Sequence, residues 1–328
     1  MEEDVEMDAT ASVAPVPVQF ATTSCQTEAK RLSITDFFMD SETLHHYTGI
    51  ETYEKFMLLF NCLGPLVNHL TYHKGTVSII PPEDQLLVTL MKLRFTLDDC
   101  EICKKFDITQ PVLTNVFITW INFLSRQLHD MGFWTEADLC QFYSPTDFFS
   151  KYPSTRVIID GTEVPMAKPQ QPLAQQATFS SYKNRNTLKV LVGCSPGGLV
   201  SYCSNAYGGS TSDRQIVERS DLPAMCSAGD SVMADKGFNV QDLFERQDVK
   251  INIPSFFQKK NRMSSRAISS DRQIASKRVH IERIIGLAKT FKILKHPMNN
   301  TQSAIGSEII KVCFYLCNFK KCIVPKSA

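Results

Sequence analysis

RVIID at residues 156–160 and SVMAD at 231–235 are the two stretches on which the fold of this chain turns. Each is a short apolar run without polar alternation, the pattern of a strand covered on both faces of a sheet. Each ends in an aspartate with glycine close behind, Asp160-Gly161 and Asp235-Lys236-Gly237. Ligands of open sheets bind beyond the carboxyl ends of the strands, so both aspartates are candidates for chemistry. Either one alone also fits a plainer reading, since a buried strand commonly leaves its sheet through an aspartate. Around them, Leu188 to Cys194 and Leu199 to Tyr207 flank Ser195-Pro196-Gly197-Gly198 and read as an antiparallel hairpin. A short helix is expected over Asp242 to Arg246 and a strand over Val249 to Ile253. Asp271 to about Phe291 reads as a long basic helix, and Ser307 to Phe319 as a closing apolar one.

Upstream, residues 1–30 carry Pro15, Pro17 and no helical or strand period, and are expected to be a disordered acidic tail. Apolar residues between Ser41 and Leu70 predict a helix ended by Gly64-Pro65. Three helical segments follow: Glu83 to Arg94, Leu97 to Phe106, and Thr109 or Gln110 to about Leu128. Thr109 can cap the third, and Pro111 fits its first turn, where a missing N–H costs nothing. Short helix, three-residue turn and long helix is the spacing of a helix-turn-helix, though helical hairpins share it. In the DNA-binding reading, Gln110, Thr114 and Asn115 of the third helix meet base edges.

The 328 residues carry 35 Lys plus Arg against 34 Asp plus Glu, a net +1 that hides a strong polarity. Met1 to Glu54 holds eleven acids against two bases, a net −9; Lys259 to Lys295 holds eleven bases against two acids, a net +9. Such a basic block points to a polyanion, because a merely solvated helix face intersperses opposite charges. Arg272, Lys277, Arg278 and Arg283 are its expected phosphate contacts, and His280 is expected to meet DNA or solvent. Glu282 is the block's lone acid between Arg272 and Lys295. It lies at the edge of the face marked by Ile274, Ile281, Ile285 and Ala288, one turn from Arg278. Two readings stay open: a structural pair with Arg278, or a third carboxylate reaching a metal held by Asp160 and Asp235. Asp213 and Glu163 are secondary candidates, the first as a loop-orienting turn residue with a lesser case for metal, the second as partner of a base.

The acidic opening Met1-Glu2-Glu3-Asp4 does not read as a secretory leader, so eleven cysteines, an odd number, are expected to be free thiols. Cys100/Cys103 and Cys313/Cys317 read as core thiols and not as zinc ligands. Apolar runs fall far short of the ~20 residues a bilayer span needs.

VIIDGTE at 157–163, TFSSYKNRNTLKVLVG at 178–193, GGSTSD at 208–213, VMADKGF at 232–238 and RVHIERIIG at 278–286 together resemble the DDE endonuclease domain of Harbinger-type transposases. PEDQLLVTLMKLRFTLDDCEICKKFDITQPVLTNVF at 82–117 is similar to the helix-turn-helix preceding that domain. The departures are Tyr207, where a Trp is usual, and Ser210, where a base is usual. The resemblance implies an α/β, RNase H-like mixed sheet flanked by helices, after an all-α helix-turn-helix region. It divides the chain into a tail (1–30), a helical lead-in (31–80), the helix-turn-helix (81–130), a linker (131–154), the endonuclease domain (155–320) and a tail (321–328). It also implies Asp160, Asp235 and Glu282 as a catalytic, metal-binding triad, with Mg²⁺ as the cation and Mn²⁺ as the alternative. The substrate would be double-stranded DNA, in the nucleus and secondarily the cytoplasm, with a homo-oligomer and a partner DNA-binding protein. Two rivals stand beside this: a domesticated, non-catalytic DNA-binding relative serving recruitment or nuclear import of a partner, and an RNA-directed nuclease.

Overall fold

The apolar run at 156–160 forms the middle of a mixed sheet. The computed structural model describes residues 31–95, 98–254 and 265–325, and Leu32–Ala328 forms one unit. Helices come first: α1 (Ser41–Thr48), α2 (Tyr53–Cys62), α3 (Pro82–Arg94), α4 (Asp99–Phe106), α5 (Gln110–Asp130), α6 (Ala137–Phe142) and α7 (Thr146–Lys151). Then follow β1 (Thr155–Pro165), α8 (Pro172–Thr178), β2 (Phe179–Ser180), β3 (Arg185–Cys194), β4 (Val200–Cys203) and β5 (Tyr207–Gly208). The chain continues through α9 (Asp213–Glu218), α10 (Leu222–Met225), β6 (Ser231–Met233), α11 (Gln241–Phe244) and β7 (Lys250–Asn252). It closes with α12 (Ser265–Ala288), α13 (Asn300–Ala304) and α14 (Gly306–Tyr315). The strand order is β2-β3-β1-β6-β7, with β4 and β5 also pairing β3. β3 runs antiparallel to β1, while β6 and β7 are parallel to it. This mixed sheet flanked by helices is consistent with the RNase H-like expectation.

Strand alternation sorts β1 between two cores. Val157 and Ile159 join Leu191, Val232 and Ala234 on the face covered by Ile216, Val217, Phe238 and Phe244. Ile158 and Val164 join Val190, Val192 and Met233 on the opposite face, under Ile281, Ile284 and Ala288 of α12. That second core continues without a break into the N-terminal helices, through Trp120, Leu124, Leu86 and Phe56. α5 packs against both α3 and α14, and Leu113, Val116, Trp120, Ile121, Leu124 and Leu128 form its buried face.

Several expectations change in detail. The helix expected between Ser41 and Leu70 is two helices and a 3₁₀ turn (Pro65–His69), because Gly49 at φ 78° ends α1 and the Thr52 side chain caps α2 afresh. Thr109 holds the cap position of α5, but its hydroxyl makes no capping bond. The expected linker 131–154 contains α6 and α7. β1 does not end at Asp160: it continues to Pro165 because β3 goes on pairing with it after β6 has stopped. The acidic tail 1–30 and the bases Lys259, Lys260 and Arg262 lie outside the described residues.

Candidate active site

Register places the two aspartates side by side. β1 and β6 are parallel, and their last matched pair is Ile158 with Met233. Asp160 and Asp235 each stand two residues further on, so both carry their side chains beyond the same rung. Alternation then sends both toward the face of Ile158 and Met233, which is the face α12 covers. The period of α12 does the rest: Arg278, Glu282 and Ile285 follow at helical spacing, and Lys289 comes just past the last turn, all toward the aspartates. These groups line one cleft of about 680 Å³, which Lys183, Lys189 and Asp213 line as well.

Glycine at 161 leaves room for Asp213 and Lys189 beside β1. A Cβ there would collide with Asp213 Oδ1 and lie 3.5 Å from Lys189 Cε. Asp213 opens α9 behind the Ser212 cap and holds Lys189 Nζ at 3.1 Å. Glu163 does not pair with a base: its Oε2 accepts the Thr187 hydroxyl at 2.8 Å.

Arg278 does not pair with Glu282, against the structural alternative. Its Nη1 donates to Asp235 Oδ1 at 2.9 Å, and its Nη2 lies 3.9 Å from Asp160 Oδ1. Glu282 is exposed and forms no ion pair or hydrogen bond through its carboxylate among the described residues. Burial pushes the Asp160 carboxyl up to about 6; Arg278 and the Gly161 N–H pull against that rise, while Asp235 and Asp213 add to it. Burial also lowers Lys289, with Lys183 adding and the Asp160 and Glu163 carboxylates opposing.

Of the five carboxylates lining the cleft, Asp160, Asp235 and Glu282 offer the oxygen donors that a hard divalent cation takes, so the donor chemistry fits. The two aspartates already converge on a positive charge, the Arg278 guanidinium. Among the described residues, no three His, Cys, Asp or Glu side chains gather at metal-ligand spacing.

Of the expected nucleic-acid contacts, Arg272 and Arg283 are exposed on α12 and Gln110 is exposed at the start of α5. Three other expectations are overturned. Asn115 is buried, and its amide accepts from Lys74 N at 2.8 Å and donates to Lys74 O at 2.5 Å, so it tethers a loop and reads no base. Lys277 is 5% exposed, with Nζ 2.6 Å from Asp147 Oδ2, so its charge already has a carboxylate partner within the protein's own chain. His280 is 2% exposed, with Nδ1 2.9 Å from the Pro196 carbonyl. The Thr114 hydroxyl donates to the Gln110 carbonyl at 3.0 Å. Sequence reasoning missed Lys183, Lys189 and Lys289 as cleft residues. Lys289 was visible in principle, seven residues past Glu282 and hence on its face of the helix. The described cysteines are all free; Cys103, Cys313 and Cys317 are buried as expected, while Cys100 is exposed.

No curated protein and no solved structure matches the chain. Residues 159–318, just under half of the chain and including Asp160, Asp213, Asp235 and Glu282, match the family model described as DDE superfamily endonuclease.

Proposed function

We propose that this chain is a metal-dependent DNA endonuclease or transposase of the Harbinger type, acting on double-stranded DNA in the nucleus. The observation that carries the reading is the shared level of Asp160 and Asp235 in a cleft that also takes Glu282 from α12. Asp160, Asp235 and Glu282 would hold the cation, Mg²⁺ or Mn²⁺, through carboxylate oxygens. When bound, such a cation polarises a phosphodiester and lowers the pKa of an attacking water. The chain itself supplies the rest. Lys183, Lys189 and Lys289 give the cleft a cationic wall for a phosphate oxygen, and Asp213 fixes Lys189 in place. Exposed Arg272 and Arg283 extend that positive surface along α12. The helix-turn-helix part of the reading rests on α4 and α5 and retains one exposed base-edge candidate, Gln110.

A non-catalytic DNA-binding relative is the second reading, favoured by Arg278 standing between the aspartates. One experiment separates the two. Purified protein should nick duplex DNA in Mg²⁺ or Mn²⁺, and Asp160→Asn, Asp235→Asn and Glu282→Gln should each lower cleavage by several orders of magnitude while DNA binding survives. Binding without cleavage in the wild type, in either cation, would favour the second reading.

A further inference from the structure

Arg278 occupies the point on which the Asp160 and Asp235 carboxylates converge. Its guanidinium contacts Asp235 Oδ1 at 2.9 Å and approaches Asp160 Oδ1 to 3.9 Å, and its side chain is only 11% exposed. Nε is buried without a hydrogen-bond partner among the described residues, so the group is held at its tip by the two aspartates and not by a surrounding cage of acceptors. Glu282, one turn along the same helix face, leaves its carboxylate outside this pairing.

Both contacts fall on the carboxylates that would hold a divalent cation, one oxygen of each. An arginine cannot shed its proton to make room, because its pKa lies above 12. A doubly charged ion set against the same oxygens would therefore stand within about 4 Å of a fixed positive charge, where repulsion is strong in a part-buried cleft. Only movement of the side chain relieves that conflict.

We infer that Arg278 and the divalent cation are alternative occupants of the Asp160–Asp235 site, so that withdrawal of Arg278 is the step that admits the metal. This rests on the reading of Asp160, Asp235 and Glu282 as the ligand set. It assigns Arg278 a role distinct from a phosphate contact and from a partner of Glu282. It also explains why two facing carboxylates are tolerated without metal: the guanidinium supplies the missing positive charge.

The opposing possibility is that Arg278 braces the aspartates in ligand geometry, so that its loss weakens metal binding. Titration of the full chain with Mn²⁺, followed by loss of the free-ion paramagnetic resonance signal, separates the two. Arg278→Gln should bind Mn²⁺ more tightly than wild type by at least about tenfold, since one repelling charge is gone. Arg278→Lys, which keeps the charge but not the fork, should fall between them. Mn²⁺ should also raise the unfolding temperature of Arg278→Gln by more than that of wild type. Equal or weaker Mn²⁺ binding by Arg278→Gln that is folded by circular dichroism overturns the exchange. If that variant does not fold, Arg278→Lys decides: tighter binding than wild type supports the exchange, and unchanged or weaker binding overturns it. The Asp160→Asn/Asp235→Asn double variant guards the underlying reading. Binding lost there, with no gain in the Arg278 variants, sinks the exchange alone. Binding that persists there sinks the ligand set itself.

Discussion

Burial in the cleft holds the Asp160 carboxyl at a pKa of about 6 in the metal-free protein. A raised acid pKa means that the folded state keeps a proton the unfolded chain releases near pH 3.9. The stability this contributes is fully present below pH 3.9 and is lost as pH rises through about 6. A shift of about two units corresponds to roughly 3 kcal/mol. Urea unfolding of metal-free protein should thus lose that much between about pH 4 and pH 7 relative to Asp160→Asn, whose side chain does not titrate. Identical pH profiles for the two proteins would show that burial does not control this group. Asn115 supplies a second test at the scale of one side chain. Both ends of its amide bind the backbone of exposed Lys74, so Asn115→Ala removes two part-buried hydrogen bonds worth about 0.5–1.5 kcal/mol each. Calorimetry should register the loss, and selection from a random duplex pool should return the same sequence preference as wild type.

Along α12 the buried and exposed faces separate two kinds of basic residue. Ile274, Lys277, His280, Ile281, Ile284 and Ala288 face inward, and Arg272 and Arg283 face solvent. Neutralising Arg272 and Arg283 should weaken binding to all duplexes alike and flatten the log affinity against log salt slope by about 0.9 per lost phosphate contact. Fluorescence anisotropy at several salt concentrations measures it, and a fall confined to one sequence would contradict it. Lys277→Ala should act differently. Its stem is buried, and its ammonium lies against Asp147 and 5.9 Å from the Phe148 ring centre. That variant should lose roughly 1–3 kcal/mol of stability with an unchanged salt slope in whatever fraction stays folded. The same division governs α5. Its periodicity is that of an amphipathic helix: α3 and α14 pack against it, and Gln110, Pro111, Asn122, Arg126, His129 and Asp130 remain exposed.

The N-terminal helices share a core with one face of the sheet, and a buried amide ties the N-terminal part of that core. Gln85 accepts the Trp120 indole N–H at 2.8 Å and the Tyr72 hydroxyl at 2.9 Å, and donates to the Ile80 carbonyl at 2.9 Å. Gln85→Leu should cost about 1–3 kcal/mol for each buried group left unpaired. Because the core is continuous, fluorescence and far-ultraviolet circular dichroism should then report one coincident, lowered transition. Separate transitions would show the N-terminal helices melting by themselves. The strands, the long helices and the acids Asp160, Asp235 and Glu282 were legible in the sequence because apolar period and turn residues are local properties of the chain. The equal two-residue step past Ile158 and Met233 was not, since strand register is set only when the sheet forms. Nor were the fates of Asn115, Lys277 and His280, whose partners Lys74, Asp147 and Pro196 lie 41, 130 and 84 residues away in sequence. Helical period states which side of α12 a residue takes. Only the packing of distant segments against that side decides whether a lysine meets solvent or an aspartate, and whether an arginine meets Glu282 or the two aspartates across the cleft.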